Sequence, residues 1–136
     1  MEKLVKKVLV DSNFLLLPFN CGIDIFREVE HVLASKVEFI VLTSVLEELK
    51  QIASKTKKLK LKRQVALAHE LSEKCTKINI ETHGRSVDDC LIEAAKELNG
   101  IVATGDMELK SRLRKAGIPV IYPRKGKYLV LEGYVN

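Results

Sequence analysis

The segment Lys7-Val8-Leu9-Val10-Asp11-Ser12-Asn13 joins a short apolar run to three polar residues. A continuous apolar run without alternation is typical of a strand that is buried on both faces, and the polar residues predict a turn at its carboxyl end. The apolar segments 38–42 and 101–104 repeat this pattern, and the second of them leads into a Gly-Asp turn. The first segment therefore predicts a buried strand that delivers Asp11 to an edge of the sheet.

Helical periodicity fills the intervals between the apolar runs. We predict strands over 7–10, 38–42, 78–81, 101–104 and 119–122, an edge strand or hairpin over 126–135, and helices over 23–34, 44–53, 57–74, 87–98 and 107–116. Thr43 or Ser44 is the predicted cap of the second helix, and Ser86 that of the fourth. Strands that alternate with helices and lack a polar face favour an α/β fold, a three-layer α/β/α sandwich around a central, mainly parallel sheet.

Composition limits the classes of protein to consider. The chain has 136 residues, of which 46% are hydrophobic and 30% charged, so we expect one globular domain over residues 1–136. It contains no apolar stretch of membrane-spanning length, and its first residues do not resemble a secretory signal, so we expect a cytoplasmic protein without a membrane partner. Lys and Arg total 23 against 18 acidic residues, which makes nucleic acid a candidate partner.

Cysteine and histidine give no sign of a zinc site or a cysteine nucleophile. The three cysteines and three histidines are scattered, namely Cys21, Cys75, Cys90, His31, His69 and His83. No Cys-x-x-Cys pair is present, so we expect reduced thiols that pack in the interior. No serine or cysteine stands in a recognisable nucleophile motif.

Acidic residues follow several of the predicted strands. Asp11 directly follows the first strand and Asp106 follows the strand 101–104 after one glycine, whereas Glu48 and Asp88 fall in the first turns of helices. Ligands of open α/β sheets bind outside the carboxyl ends of the strands, where these four acids could converge. Gathered carboxylates repel one another unless a cation lies among them, and their hard oxygen atoms suit Mg²⁺ or Mn²⁺. Taken singly, Asp11 could be a plain turn residue and Asp106 only a helix cap.

Two of these acids have an acidic neighbour with a simpler role. Glu47 and Asp89 each stand three residues after a serine that can cap a helix, as in a capping box. On a helical wheel, Glu48 borders the apolar stripe of its helix and Glu47 points away from it. Asp88 likewise lies nearer the stripe of its helix than Asp89 does. The wheel therefore favours Glu48 and Asp88 for the site.

Four motifs in this order resemble those of PIN-domain nucleases, over about residues 7–122. The motifs are Val-Leu-Val-Asp11-Ser12-Asn13, Leu46-Glu47-Glu48-Leu49, Val87-Asp88-Asp89-Cys90-Leu91-Ile92 and Val-Ala-Thr104-Gly105-Asp106. The resemblance implies a Rossmann-like α/β/α domain and a divalent-metal-dependent endoribonuclease that hydrolyses RNA through a water activated by the metal ion. The sequence Asp-Asp-Cys-Leu at 88–91 and the later segment Gly117-Ile118-Pro119-Val120-Ile121-Tyr122 look more like the archaeal and ribosome-biogenesis branches of the family than the bacterial toxins.

The same resemblance implies roles for particular residues. The catalytic and metal-binding acids would be Asp11, Glu48, Asp88 and Asp106. Asp11 and Asp106 would hold the principal Mg²⁺ or Mn²⁺, and the other two would complete or orient its shell. Auxiliary positions would be Ser12, Asp89, Thr104 and Glu108, of which Thr104 supplies a supporting hydroxyl and Glu108 an additional acid.

The implied partners are RNA and either an antitoxin or a ribosome-precursor particle, and homodimers are common among similar domains. One alternative keeps the fold without the reaction, as a catalytically silent RNA-binding or assembly module in ribosome maturation. Another is a phosphotransferase with an aspartyl nucleophile at Asp11. That class usually needs a second aspartate two residues on, where this sequence has Asn13, so we disfavour it.

Segment 55–63 carries the densest positive charge, since six of its nine residues are Lys or Arg. A solvated helix start would explain most such runs. However, cations at a helix N-terminus oppose its dipole, and an acidic site that binds a polyanion needs cations to offset repulsion. We therefore predict that RNA phosphates contact Lys57, Lys58, Lys60 and Lys62. The alternative basic face consists of Arg112, Arg114 and Lys115.

Overall fold

A computed structural model describes residues 5–135. Its strands are β1 (Lys6–Val10), β2 (Val37–Leu42), β3 (Thr76–Ile78), β4 (Ile101–Ala103), β5 (Val120–Arg124) and β6 (Tyr128–Glu132). Its α-helices are α1 (Ser12–Leu15), α2 (Leu17–Cys21), α3 (Ile25–Leu33), α4 (Thr43–Lys55), α5 (Leu59–Leu71), α6 (Val87–Leu98) and α7 (Met107–Lys115). A single 3₁₀ turn, Ser72–Lys74, follows α5.

The strands form one sheet in the order β3-β2-β1-β4-β5-β6. The first five strands of this order are parallel, and β6 pairs with β5 in the antiparallel direction as a hairpin. Parallel pairing agrees with the unbroken apolar runs, because a sheet covered on both faces leaves no strand face exposed to water. The predicted α/β class with a mainly parallel sheet is confirmed.

The later strands lie on both sides of β1. The chain first forms β2 and β3 on one side of it and then β4 and β5 on the other. The carboxyl ends of β1 and β4 therefore flank the point where the strand order reverses, which is where open α/β sheets bind their ligands. The backbone N–H of Asp11 donates to the carbonyl of Ala103 over 3.0 Å, which aligns the two strand ends.

The core lies on both faces of the sheet. Val8, Leu9 and Val10 of β1 have no accessible surface. On the β2 side, the ring of Phe26 in α3 meets that of Phe39 edge to face, with 4.8 Å between centroids. Within residues 5–135, none of the helices combines the length and apolar character needed to cross a membrane.

Several predicted boundaries are wrong. The third strand covers Thr76–Ile78 instead of 78–81, because its register with Ile40–Leu42 of β2 sets where it pairs. The helix predicted over 57–74 begins at Leu59 and gives way to the 3₁₀ turn after Leu71. The two short helices between Ser12 and Cys21 were not predicted at all.

The predicted cap of α4 is also wrong. This helix begins at Thr43 directly after β2, and neither Thr43 nor Ser44 caps it through a side chain. The Thr43 hydroxyl donates instead to Oδ1 of Asn79 over 2.9 Å, and Glu47 pairs with Lys50 at 3.6 Å. The hydrogen bond to Asn79, just after β3, therefore takes the place of the predicted local cap.

The cap of α6 follows the prediction. The Ser86 hydroxyl accepts a hydrogen bond from the backbone N–H of Asp89 over 3.1 Å, and Asn99 ends the helix with φ +53°. The three cysteines are free thiols, as expected. Cys75 and Cys90 are buried, whereas Cys21 is only partly buried.

Candidate active site

Asp11 is a carboxylate held by three donors at the carboxyl end of β1. Only 3% of its surface is exposed. Its Oδ1 accepts from the backbone N–H of Ser12 over 2.8 Å, and its Oδ2 accepts from Nδ2 of Asn13 over 3.1 Å and from the hydroxyl of Thr104 over 2.8 Å. Burial raises the pKa of the Asp11 carboxyl above its usual value. The three hydrogen bonds partly oppose that shift, and the charge of Glu48 adds to it.

Asn13 links the turn after β1 to the turn after β4. Its Oδ1 accepts from the backbone N–H of Gly105 over 2.6 Å, while its Nδ2 donates to Asp11. The fully buried Thr104 completes the link, because its hydroxyl also accepts the backbone N–H of Asp106 over 3.0 Å. The role of Asn13 was missed from the sequence, although the residue stands two positions after the first motif acid.

Glu48 is tied to the same edge through Ser12. The buried Ser12 hydroxyl donates to Oε1 of Glu48, so a side chain from the start of α1 meets one from the second turn of α4. Glu48 is half-buried, whereas Glu47 on the next position is exposed. The structure thus turns Glu48, and not its neighbour, toward Asp11.

Asp88 and Asp89 have different surroundings at the start of α6. Burial is the largest cause of the raised pKa of Asp88, and the negative charges of Asp11 and Asp106 raise this pKa further. The guanidinium of Arg112 has the opposite effect on Asp88. Asp89 instead pairs with Arg112, with 2.5 Å between Oδ1 and the guanidinium nitrogen, and this hydrogen bond is the first cause of its lowered pKa. Of these two acids, Asp88 is therefore the one whose pKa is raised by the negative charges at the ends of β1 and β4.

Asp106 caps α7 with one of its two oxygens. Its Oδ1 accepts from the backbone N–H of Glu108 over 2.9 Å and from that of Leu109 over 3.2 Å. The capping role considered from the sequence is therefore realised. Within residues 5–135, no hydrogen bond reaches Oδ2 of Asp106, so that oxygen is available to a ligand. Glu108 lies exposed in the first turn of α7.

The four predicted acids are connected in pairs and not as one coordination shell. Asp11 interacts electrostatically with Glu48 and Asp88, and Asp88 with Asp106. In the part of the chain that the structure describes, no three acidic, histidine or cysteine side chains stand close enough to hold one metal ion. The donors nevertheless fit a hard divalent cation, because they are carboxylate oxygens whose mutual repulsion a cation would offset.

The basic run lies at the turn between α4 and α5. Lys57 and Lys58 precede α5, whereas Lys60 and Lys62 belong to its start, where no acidic residue is present. All four are exposed, and within the described range 5–135 none of them forms an ion pair. Since α4 has 13 residues, about 20 Å of helix separates its first residue at the sheet edge from the run.

The alternative basic face is largely occupied within the protein. Arg112 pairs with Asp89, as described above. Arg114 lies 3.6 Å from a carboxylate oxygen of Glu132 and donates to the carbonyl of Ile118 over 3.1 Å. Of the three cations proposed for that face, only Lys115 is free of such contacts among the described residues.

The mostly parallel sheet and the helices that flank it define a Rossmann-like α/β/α domain, with acids at the carboxyl edge of the sheet. A family model described as a PIN like domain matches residues 8–126. The chain belongs to this family, and the resemblance inferred from the four motifs is confirmed.

Proteins similar in sequence to this chain include a ribonuclease and an rRNA-processing protein. Ribonuclease VapC4 of Methanocaldococcus jannaschii is 34% identical over 130 residues, which cover 95% of this chain and 98% of the relative. The rRNA-processing protein FCF1 of Saccharomyces cerevisiae is 31% identical over 117 residues, and the match covers 85% of this chain but only 58% of FCF1. The solved structure of the PIN domain endonuclease Utp24 superposes with a TM-score of 0.77 at 25% identity, covering 96% of this chain and 93% of that one.

The substitution Asn13→Asp tests the link between the two turns. The new carboxylate keeps an acceptor for Gly105 but loses the donor to Asp11 and places a second negative charge beside it. We expect a loss of about 1–3 kcal/mol in the free energy of unfolding at pH 7. Repulsion raises the pKa of this carboxylate pair in the folded protein above that in the unfolded chain. The loss is therefore full above the folded pKa and shrinks as the pH falls through it.

Urea denaturation at pH 7 and at about pH 4 measures this effect. The control is Asn20→Asp, which adds the same charge at an exposed position without side-chain hydrogen bonds in the described structure. An Asn13→Asp protein as stable as this control at both pH values would contradict the bridging role.

Proposed function

We propose that this protein is a divalent-metal-dependent endoribonuclease that hydrolyses phosphodiester bonds in RNA. The observation that carries the proposal is the buried carboxylate of Asp11, which is oriented by three donors and is repelled by Glu48 and Asp88. Such repulsion is costly unless a cation offsets it. The names of the relatives, ribonuclease VapC4 and PIN domain endonuclease Utp24, support the same reaction class.

In this proposal, Asp11 and Asp106 hold the principal Mg²⁺ or Mn²⁺, while Asp88 and Glu48 complete or orient its shell. When bound, the ion supplies Lewis-acid activation of a water and neutralises charge at the phosphate. Thr104 and Asn13 fix the direction of the Asp11 carboxylate through their hydrogen bonds. Ser12 does the same for Glu48.

Side-chain nucleophiles are less suited to the reaction. Cys75 and Cys90 are buried, and burial raises the pKa of the Cys75 thiol to about 11, so little of it is thiolate at neutral pH. Ser12 donates its hydroxyl proton to Glu48 and lies beside the negative charge of Asp11, which would repel a phosphate from it. A water nucleophile fits this environment better.

The relatives suggest two settings for the reaction. A role like that of ribonuclease VapC4 would give the protein an antitoxin as partner, whereas a role like that of FCF1 would place it in a ribosome-precursor particle. Either role is proposed for the cytoplasm, with RNA as the direct substrate. The second candidate function is a silent RNA-binding or assembly module, favoured by the absence of three converging acids within residues 5–135.

The substitution Asp11→Asn tests the reaction itself. We expect cleavage of an unstructured RNA in Mn²⁺ to fall by about a thousandfold or more, because a metal-binding charge worth several kcal/mol to the transition state is removed. Excess EDTA should abolish cleavage by the unchanged protein, and Glu47→Gln at the exposed neighbour of Glu48 should retain it. Cleavage that persists in EDTA or in Asp11→Asn would falsify the assignment. RNA binding without any cleavage would favour the assembly module.

Asp88 and Asp89 offer a matched pair of substitutions. Asp88→Asn should abolish cleavage without loss of stability, because it removes a carboxylate that is repelled by Asp11 and Asp106. Asp89→Asn should affect the rate less, because Asp89 neutralises Arg112 at an exposed position. Cleavage rates and thermal melting of both variants measure the difference, and the reverse order of rates would contradict the assignment.

We propose that the basic run contacts RNA phosphates. Replacing Lys57, Lys58, Lys60 and Lys62 by Ala should weaken binding of unrelated single-stranded RNAs to a similar extent, since phosphate contacts carry no sequence information. The dependence of log K on log salt should flatten by about three, whereas metal affinity should stay unchanged. Binding measured across a salt series tests this expectation, and an unaltered slope would identify the run as a solvated helix start.

A further inference from the structure

The turn of the β5–β6 hairpin concentrates positive charge. Arg124, Lys125 and Lys127 are all exposed there, and none of them forms an ion pair within residues 5–135. Tyr128 follows directly, with 45% of its surface exposed. The opposite end of the hairpin is different, because Glu132 there is paired with Lys110 at 3.3 Å and lies 3.6 Å from Arg114. We call residues 124–128 the basic hairpin.

The basic hairpin projects from the same sheet edge as the acids. Strand β5 runs parallel to β4, with Ala103 opposite Ile121, and then continues three residues further to Arg124. Gly105, which precedes Asp106, lies beside this extension, since a Cβ added to it would be in van der Waals contact with Cγ of Pro123 at 3.8 Å. Arg124, the first of the cations, directly follows Pro123.

The turn has a defined backbone conformation. The N–H of Lys127 donates to the carbonyl of Arg124 over 3.1 Å, and the two residues between them have positive φ, +56° at Lys125 and +63° at Gly126. Two positive φ values are the requirement of a type I′ turn, in which Asn, Asp or Gly is preferred at the first position. Gly126 is suited to this conformation, whereas Lys125 adopts it at a cost in stability. A lysine at that position suggests a use other than making the turn.

The turn also packs against the segment that follows Asp11. A Cβ added to Gly126 would lie 3.7 Å from Sγ of Cys21 at the end of α2. Helices α1 and α2 lead there directly from the first motif acid. The basic hairpin therefore lies beside the segment that follows Asp11, with its cationic side chains exposed.

We propose that the basic hairpin binds the phosphodiester backbone of single-stranded RNA and that Tyr128 stacks on one of its bases. This inference rests on the proposed function, because it assigns the surface that presents the strand to the acids. Carboxylates repel phosphates, so adjacent cations are needed to hold a polyanion at this edge. Lys and Arg with an exposed aromatic ring are the usual elements of sequence-tolerant single-strand binding.

Binding is measured by fluorescence anisotropy with labelled, unstructured RNAs of unrelated sequence, in EDTA so that no cleavage occurs. For the full-length chain with Arg124→Ala, Lys125→Ala and Lys127→Ala, we expect Kd to rise about tenfold or more at low salt and the salt slope to fall by about two. The matched control replaces Lys36, Lys74 and Lys96 by Ala. These exposed cations lie at the opposite edge, before β2, β3 and β4, so the same loss of charge should leave binding near that of the unchanged protein.

Two single substitutions separate binding from folding. Lys125→Asn should raise the melting temperature, because Asn suits the first position of the turn, and yet weaken RNA binding. Tyr128→Leu should weaken binding about tenfold, whereas Tyr128→Phe, which keeps the ring, should bind as the unchanged protein does. A merely structural role would move stability and binding in the same direction.

The inference is overturned if the triple alanine protein binds RNA with unchanged affinity and salt slope, or if the control triple loses as much. It is equally overturned if the unchanged protein does not bind RNA in this assay. Cleavage in Mn²⁺ is scored separately on the unchanged protein and Asp11→Asn. Loss of RNA binding in the hairpin variants therefore supports the inference even if the cleavage test fails, and unchanged binding contradicts it even if cleavage is confirmed.

Discussion

A carboxylate that is buried at the end of a strand must be surrounded by donors, and Asp11 imposes this requirement on the whole carboxyl edge of the sheet. Its three donors come from the turn after β1 and from the turn after β4. They can meet only because β1 and β4 are parallel neighbours, aligned by the hydrogen bond from Asp11 to Ala103. The order of the strands and the position of the acids are therefore two aspects of one packing arrangement.

Much of this arrangement could be predicted from the sequence, because it depends on local patterns. The unbroken apolar runs identified β1, β2 and β4 and their parallel pairing, and the position of Asp11 and Asp106 after strands placed both at one edge. The helical wheel predicted that Glu48 faces the interior more than Glu47 does, and the structure has Glu48 half-buried and Glu47 exposed. What failed depends on distant contacts: β3 starts where β2 can pair with it, and Thr43 meets Asn79 instead of capping α4.

Two features of the edge had no signal of their own in the sequence. Asn13 is recognisable as a bridge only once the turn with Gly105 is known to lie beside it. The cations of the basic hairpin follow the last motif and are sparser than the run at 55–63, so charge density alone directed attention to that run and not to the hairpin. Their closeness to Asp106 results from the register of β5 on β4, which a linear pattern does not contain.

The cations around the acidic edge differ in whether a carboxylate of the protein already neutralises them. Arg112 is neutralised by Asp89 and still lowers the pKa of Asp88, so it belongs to the acids. The basic hairpin is adjacent and unpaired within residues 5–135, whereas the run before α5 lies beyond the end of α4. Because screening in physiological salt acts over about 8 Å, the cations nearest the acids offset the repulsion between these carboxylates and a phosphate most strongly. More distant cations serve to attract the strand, which is a separate contribution to binding.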